Sequence, residues 1–142
     1  MTIGVDVSSK KLGKNILQIW DLGGQRGFQQ IFGDYFAKTE GAVVVFDITN
    51  PKSFENVNKW IEMITIEKIQ MIPTVLVGNK SDLRNRGLFE ISYLQGLDFA
   101  KELSNNSIFE IPYIEASALT GLNVSHIFES LVTTIITISN AM

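Results

Sequence analysis

Three short runs carry residue types that can do chemistry together. The first is Asp21-Leu22-Gly23-Gly24-Gln25. A carboxylate at a strand end can hold Mg²⁺ directly or through its water. Gly24 would let a backbone N–H approach a terminal phosphate with no side chain in the way, and Gln25 could orient an attacking water. The second run is Asn79-Lys80-Ser81-Asp82. A carboxylate such as Asp82 can accept from both the N1–H and the exocyclic amine of guanine. Adenine has no such donor pair and would leave a buried Asp82 unpaired, a heavily penalised mismatch. Lys80 can lay its methylene stem over a base face. The third run is Glu115-Ala116-Ser117-Ala118-Leu119, in which small residues let the Ala118 N–H reach a carbonyl such as guanine O6.

Each run also has a plain structural reading. Gly-Gly is an ordinary turn dipeptide, a loop with Asn and Asp forms Asx turns, and small residues after a strand are common. Their order along the chain makes the combination specific, because each run follows a strand pattern.

Those strands belong to an alternating chain. Ile3, Val5 and Val7 alternate with Gly4 and Asp6, "KKLGKN" reads as a turn, and "ILQIWD" as its hairpin partner. "GAVVVFDIT" is a continuous apolar run, as in a parallel strand buried on both faces. Thr49 or Asn50 can cap a helix that Pro51 opens. Along it Phe54, Val57, Trp60, Ile61 and Ile64 form one apolar stripe. "IPTVLVGNK" predicts a second buried strand, residues 91–103 a second helix and "IPYIEAS" a third strand. Val124, Ile127, Phe128, Leu131 and Ile135 mark a closing helix, on which the lone His126 reads as structural. A hairpin followed by strand-helix repeats argues an α/β layered fold with a mostly parallel sheet. Ligands of such sheets sit beyond the carboxyl ends of the strands, where all three runs lie.

Composition narrows the function classes. At 142 residues with 45% hydrophobic and 19% charged content, the chain reads as one globular domain over 1–142. A net charge of −3 and a pI near 5.1 give no electrostatic reason to bind nucleic acid or anionic lipid. The absence of cysteine excludes disulfides, thiolate metal sites and prenyl or palmitoyl attachment within these residues. "SLVTTIITIS" is too short and too rich in Thr and Ser to span a bilayer, and a cytoplasmic domain is the expectation.

The chain resembles the Ras superfamily of small GTPases, and its Rab branch in particular. The likeness rests on "TIGVDV", "LQIWD", Tyr35-Phe36, "GAVVVFDITNPKSFENVNKW", "VLVGNKSDL" and "EASALTGLNVSHIFESL". It implies a P-loop-NTPase-type sheet flanked by helices and a Mg²⁺-dependent GTP/GDP switch in vesicle traffic. Effector proteins, an exchange factor and a GTPase-activating protein would be its partners. By position, Thr2 and Asp21 match the Mg²⁺ ligands, Gly24 the γ-phosphate contact and Gln25 the catalytic residue. Asn79, Lys80, Asp82, Ser117 and Ala118 match the base contacts, and Ile3, Val7, Trp20 and Tyr35 match the surface that effectors read. Leu22, Gly23 and Arg26 depart from the usual W-D-T-A-G-Q pattern and the acidic residue after it. Val7 replaces a usual Phe, and Leu119 a usual Lys.

The family's first strand, G-x-x-x-x-G-K-[ST] phosphate loop and first helix would all precede Met1. The resemblance therefore implies a G domain incomplete at its amino terminus, with a gap in its sheet and weak or absent GTP binding by these residues alone. It also implies peripheral attachment to endomembranes if the full protein carries a lipidated tail. The alternative is a non-cycling interaction module that keeps the Trp20 surface. A nucleotide enzyme outside the GTPases is disfavoured by "NKSD".

Overall fold

A computed structural model describes residues 5–22, 37–68 and 71–141. The chain divides into two compact units, Met1–Thr39 and Glu40–Met142.

The first unit holds an antiparallel pair, β1 (Val5–Leu12) and β2 (Asn15–Leu22). Val7 lies opposite Trp20, Asp6 opposite Asp21 and Leu12 opposite Asn15. The turn is narrower than "KKLGKN": Lys10 and Lys11 still pair, and only Gly13 and Lys14 connect the strands. Gly13 takes φ +57°, as the first central residue of a two-residue hairpin turn matched to strand twist does.

The second unit is a three-stranded parallel sheet in the order β3 (Ala42–Asp47), β4 (Thr74–Asn79), β5 (Tyr113–Glu115). Among the described residues four helices flank it: α1 (Pro51–Glu55), α2 (Val57–Lys68), α3 (Tyr93–Asn105) and α4 (Val124–Ala141). This is the expected α/β architecture, a parallel sheet with an opening hairpin.

Local chemistry sets the helix starts. Asn50 caps α1 by accepting from the Lys52 and Ser53 amides, with Pro51 in the first turn. The stripe from Phe54 to Ile64 spans two helices, because Asn56 closes α1 before Val57 opens α2. Helix α3 begins at Tyr93, two residues after the expected start. Ser92 and Gln95 form a reciprocal capping box, which satisfies two free amide groups at that boundary. Ile91 remains outside, buried, with its N–H donating to the Ile48 carbonyl at 2.6 Å.

Each sheet face has its own core. On one, Val44, Phe46, Leu76 and Tyr113 pack with Val57, Ile64 and Ala100. On the other, Val75, Val77, Ile114 and Ala116 pack with Ile127 and Leu131 of α4. The expectation that β3 is buried on both faces fails at Val45, which is 51% exposed. Val43, on the same face, does pack against the α4 core, so the exposure is local to Val45 and not a property of the whole strand. Among the described residues, no helix is long and apolar enough to cross a membrane.

Candidate functional site

The carboxyl ends of β3, β4 and β5 carry the polar residues. Asn79 closes β4, and the next residue, Lys80, takes the left-handed conformation at φ +70°. That is a costly conformation for a side chain with a Cβ, and it turns the chain sharply out of the strand. A single 3-10 turn, Ser81–Leu83, follows. The Ser81 N–H donates to the Ala116 carbonyl at 3.1 Å, tying this turn to the segment after β5.

Side chains complete the tie. Ser117 is fully buried, and its hydroxyl donates to Asp82 Oδ1 at 2.7 Å while accepting from the Thr120 N–H at 3.1 Å. That bond ties the Asp82 side chain to the segment after β5. Its second oxygen, Oδ2, has no partner among the described residues. Asp82 itself is half-buried rather than fully enclosed. The Ala118 N–H, read as a donor for guanine O6, instead donates to Asn79 Oδ1 at 3.0 Å. A ligand carbonyl would have to share or displace that bond. Ser81 Oγ is buried without a hydrogen-bond partner among the described residues.

Lys80 reaches back across the sheet. Its ammonium lies 2.8 Å from Asp47 Oδ2, and Asp47 is the register partner of Asn79. Asp47 Oδ1 also accepts from the Thr49 N–H at 2.8 Å and the Thr49 hydroxyl at 2.7 Å. Burial alone would raise the Asp47 pKa, but the bonds from Lys80 and Thr49 outweigh it and hold the carboxyl below its usual range. The bond to Asp47 in turn raises the Lys80 pKa.

Two residues past Asp82, Arg84 enters a second polar cluster that the sequence does not announce. Arg84 donates through Nε to Glu115 Oε1 at 2.8 Å and through Nη2 to Glu115 Oε2. Its Nη1 donates to Glu90 Oε1 at 3.2 Å. Tyr113 donates its hydroxyl to Glu115 Oε2 at 2.6 Å. Burial first, and then the bond to Glu115, push the tyrosine pKa well up. The bond to Glu115 raises the Arg84 pKa, so the guanidinium stays charged. Asp47 could have been suspected from its place at a strand end. Arg84 has no such signal.

The other expected residues fall elsewhere. Asp21 is exposed near the end of β2, with Asp6 opposite it across the hairpin. Val7 is half-exposed and Trp20 partly buried on the same hairpin. Thr2, Ile3, Gly24, Gln25 and Tyr35 lie outside the described residues. Among the described residues, no three His, Asp or Glu side chains gather as a metal site. Mg²⁺ is commonly held by one or two carboxylates together with substrate phosphates, so Asp21 fits as one donor of such a set and no more.

Comparison with known proteins places this geometry in a family. A family model described as Ras family matches residues 1–137. The GTP-binding protein ypt4 of Schizosaccharomyces pombe is 35% identical over 96% of the chain and 58% of its own length. GTP-binding protein ypt1 of the same yeast is 36% identical over 89% of the chain and 61% of its length. GTP-binding protein YPT1 of Saccharomyces cerevisiae is 36% identical over 89% of the chain and 60% of its length. The chain thus spans 58–61% of the length of these curated relatives. On the match across nearly all its residues, the chain belongs to the Ras family and is a Rab-like member of it.

Proposed function

We propose that the protein is a guanine-nucleotide-dependent switch, and that Asn79, Lys80, Asp82, Ser117 and Ala118 form its base-recognition site. The observation that carries this reading is the buried Ser117 hydroxyl holding Asp82 Oδ1 while Oδ2 has no partner among the described residues. A carboxylate tied in this way is ready to accept from guanine N1–H and the 2-amine, and adenine would leave it unpaired. The relatives' names as GTP-binding proteins support the same ligand class.

Residues 1–142 belong on this reading to one nucleotide-binding domain. Thr2 and Asp21 serve a Mg²⁺ ion, which neutralises phosphate charge when bound. Gly24 contacts the terminal phosphate, and Gln25 orients water for GTP hydrolysis. Ile3, Val7, Trp20 and Tyr35 form the effector surface, and an exchange factor and an activating protein act on the switch. The full protein acts at endomembranes in vesicle traffic. These 142 residues contain no G-x-x-x-x-G-K-[ST] run, which supports weak nucleotide binding by them alone, because the phosphate contacts of such a loop are missing.

A second reading, a non-cycling interaction module, draws on a specific feature. Asn79 accepts from the Ala118 N–H and Asp47 engages Lys80, so these groups already have partners within the protein.

Titration of the chain with GDP, and separately with ADP, checks the choice, with circular dichroism on the same sample. The switch reading expects weak binding that favours GDP over ADP by about tenfold or more, the value of an unpaired charged hydrogen-bonding group. A folded chain that ignores GDP would support the interaction module. Equal affinity for GDP and ADP would sink the base-recognition assignment.

A further inference from the structure

Asp82 and Ser117 sit on two separate segments, and the hydrogen bond between them is only as well placed as those segments are. One follows β4 and the other follows β5. Arg84 lies two residues after Asp82, and Glu115 two residues before Ser117. Their fork-to-fork pair therefore brackets the Asp82–Ser117 bond. The Arg84 and Glu115 side chains are 18% and 14% exposed. Parallel N–H···O bonds of this type fix both distance and angle, adding to the Ser81–Ala116 backbone bond and the Asn79–Ala118 bond that also join the two segments.

The rest of the cluster removes the remaining freedom. Tyr113, on β5, donates to the same Glu115 carboxylate. Glu90 accepts from Arg84 and, through Oε2, from the Asn85 N–H at 3.0 Å. Asn123 Nδ2 donates to the Glu115 carbonyl at 2.8 Å, holding the backbone just before Ser117. The Arg84 N–H itself donates to the Ser81 carbonyl at 3.2 Å, so the guanidinium is anchored to the turn that carries Asp82.

We propose that Arg84 and Glu115 are positioning residues for guanine recognition, holding the Asp82 turn against the Ser117 segment so that the free carboxylate oxygen is set for the base. This rests on the base-recognition reading above. On this proposal the pair contributes orientation rather than contact: a misplaced carboxylate loses one of the two donors it must face.

The test uses the whole chain with GDP, IDP and ADP as probes, followed by NMR titration. IDP keeps the N1–H and lacks the 2-amine, so the GDP-to-IDP affinity ratio reports whether Asp82 faces both donors. The parent chain is expected to favour GDP over IDP by about tenfold, the value of one hydrogen bond to a charged group. Arg84→Lys keeps the charge and loses the planar fork. Glu115→Gln keeps the shape and loses the carboxylate. Either variant, folded by circular dichroism, is expected to drop that ratio to about one, as loss of the second donor contact requires.

A folded variant that weakens GDP and IDP equally, or leaves the ratio at the parent value, would overturn the proposal while leaving the base-recognition reading intact. A parent chain with no preference for GDP over ADP would overturn both. Unfolding of both variants would make the pair a stability element and overturn the positioning role.

Discussion

At the scale of single residues, hydrogen-bonding groups at strand ends were legible and their pairing was not. Asp82, Asn79 and Ser117 stand out by residue type, and the fold does bring them together. Yet Asn79 spends its oxygen on Ala118, and Lys80 its ammonium on Asp47. Those choices depend on where β3, β4 and β5 end relative to one another, which no local pattern states. The Lys80–Asp47 pair has a consequence for pH. A carboxyl whose folded pKa lies below its ordinary value contributes stability that is fully present above the unfolded pKa. That stability is lost as pH falls through the folded value. Asp47→Asn keeps an oxygen for Thr49 and removes the charge. The variant should therefore be less stable than the parent at about pH 7, with the gap closing below about pH 4. Lys80 is half-exposed, so added salt should also narrow the gap. Urea unfolding of both proteins across that range checks this, and equal stability at neutral pH would mean the pair is idle.

At the scale of elements, helices and strands were legible because apolar spacing and capping residues are local. What was not legible is how closely they approach. Gly96 in α3 and Gly78 in β4 both lie against the Tyr113 ring, and a Cβ built on either would collide with that side chain. The glycines are there because β5 directs Tyr113 between α3 and β4, so two backbones must make room for one ring. Gly96→Ala would add about 1 kcal/mol of helix propensity at an exposed site. Here it should instead cost about 1–3 kcal/mol through overpacking. Combining it with Tyr113→Leu should recover part of the loss, and additive losses in that double variant would show that the ring is not the obstacle. Equilibrium denaturation measures both. The start of α3, by contrast, is local: Ser92 and Gln95 set it through side chains three residues apart, within reach of sequence reasoning.

At the scale of the whole molecule, the two units differ in how their strands are supported. β1 and β2 pair only with each other among the described residues, and Val7 and Ile16 on them are 50% and 75% exposed. β4 has a hydrogen-bonded neighbour on each side and carries the fully buried Leu76. An isolated two-stranded hairpin is marginal in water. Native-state hydrogen exchange should therefore show the hairpin amides opening at lower free energy than those of β4. Equal protection in both would contradict this division. The alternation of apolar runs and capped helical stripes was enough to determine an α/β chain with its polar motifs at strand ends, since burial and capping act over a few neighbouring residues. Tertiary structure alone decided that Val45 is left open, that Tyr113 needs two glycines, and that Arg84 and Glu115 bracket the Asp82–Ser117 bond. Those outcomes depend on contacts between residues far apart in sequence, and their geometry exists only once the sheet has formed.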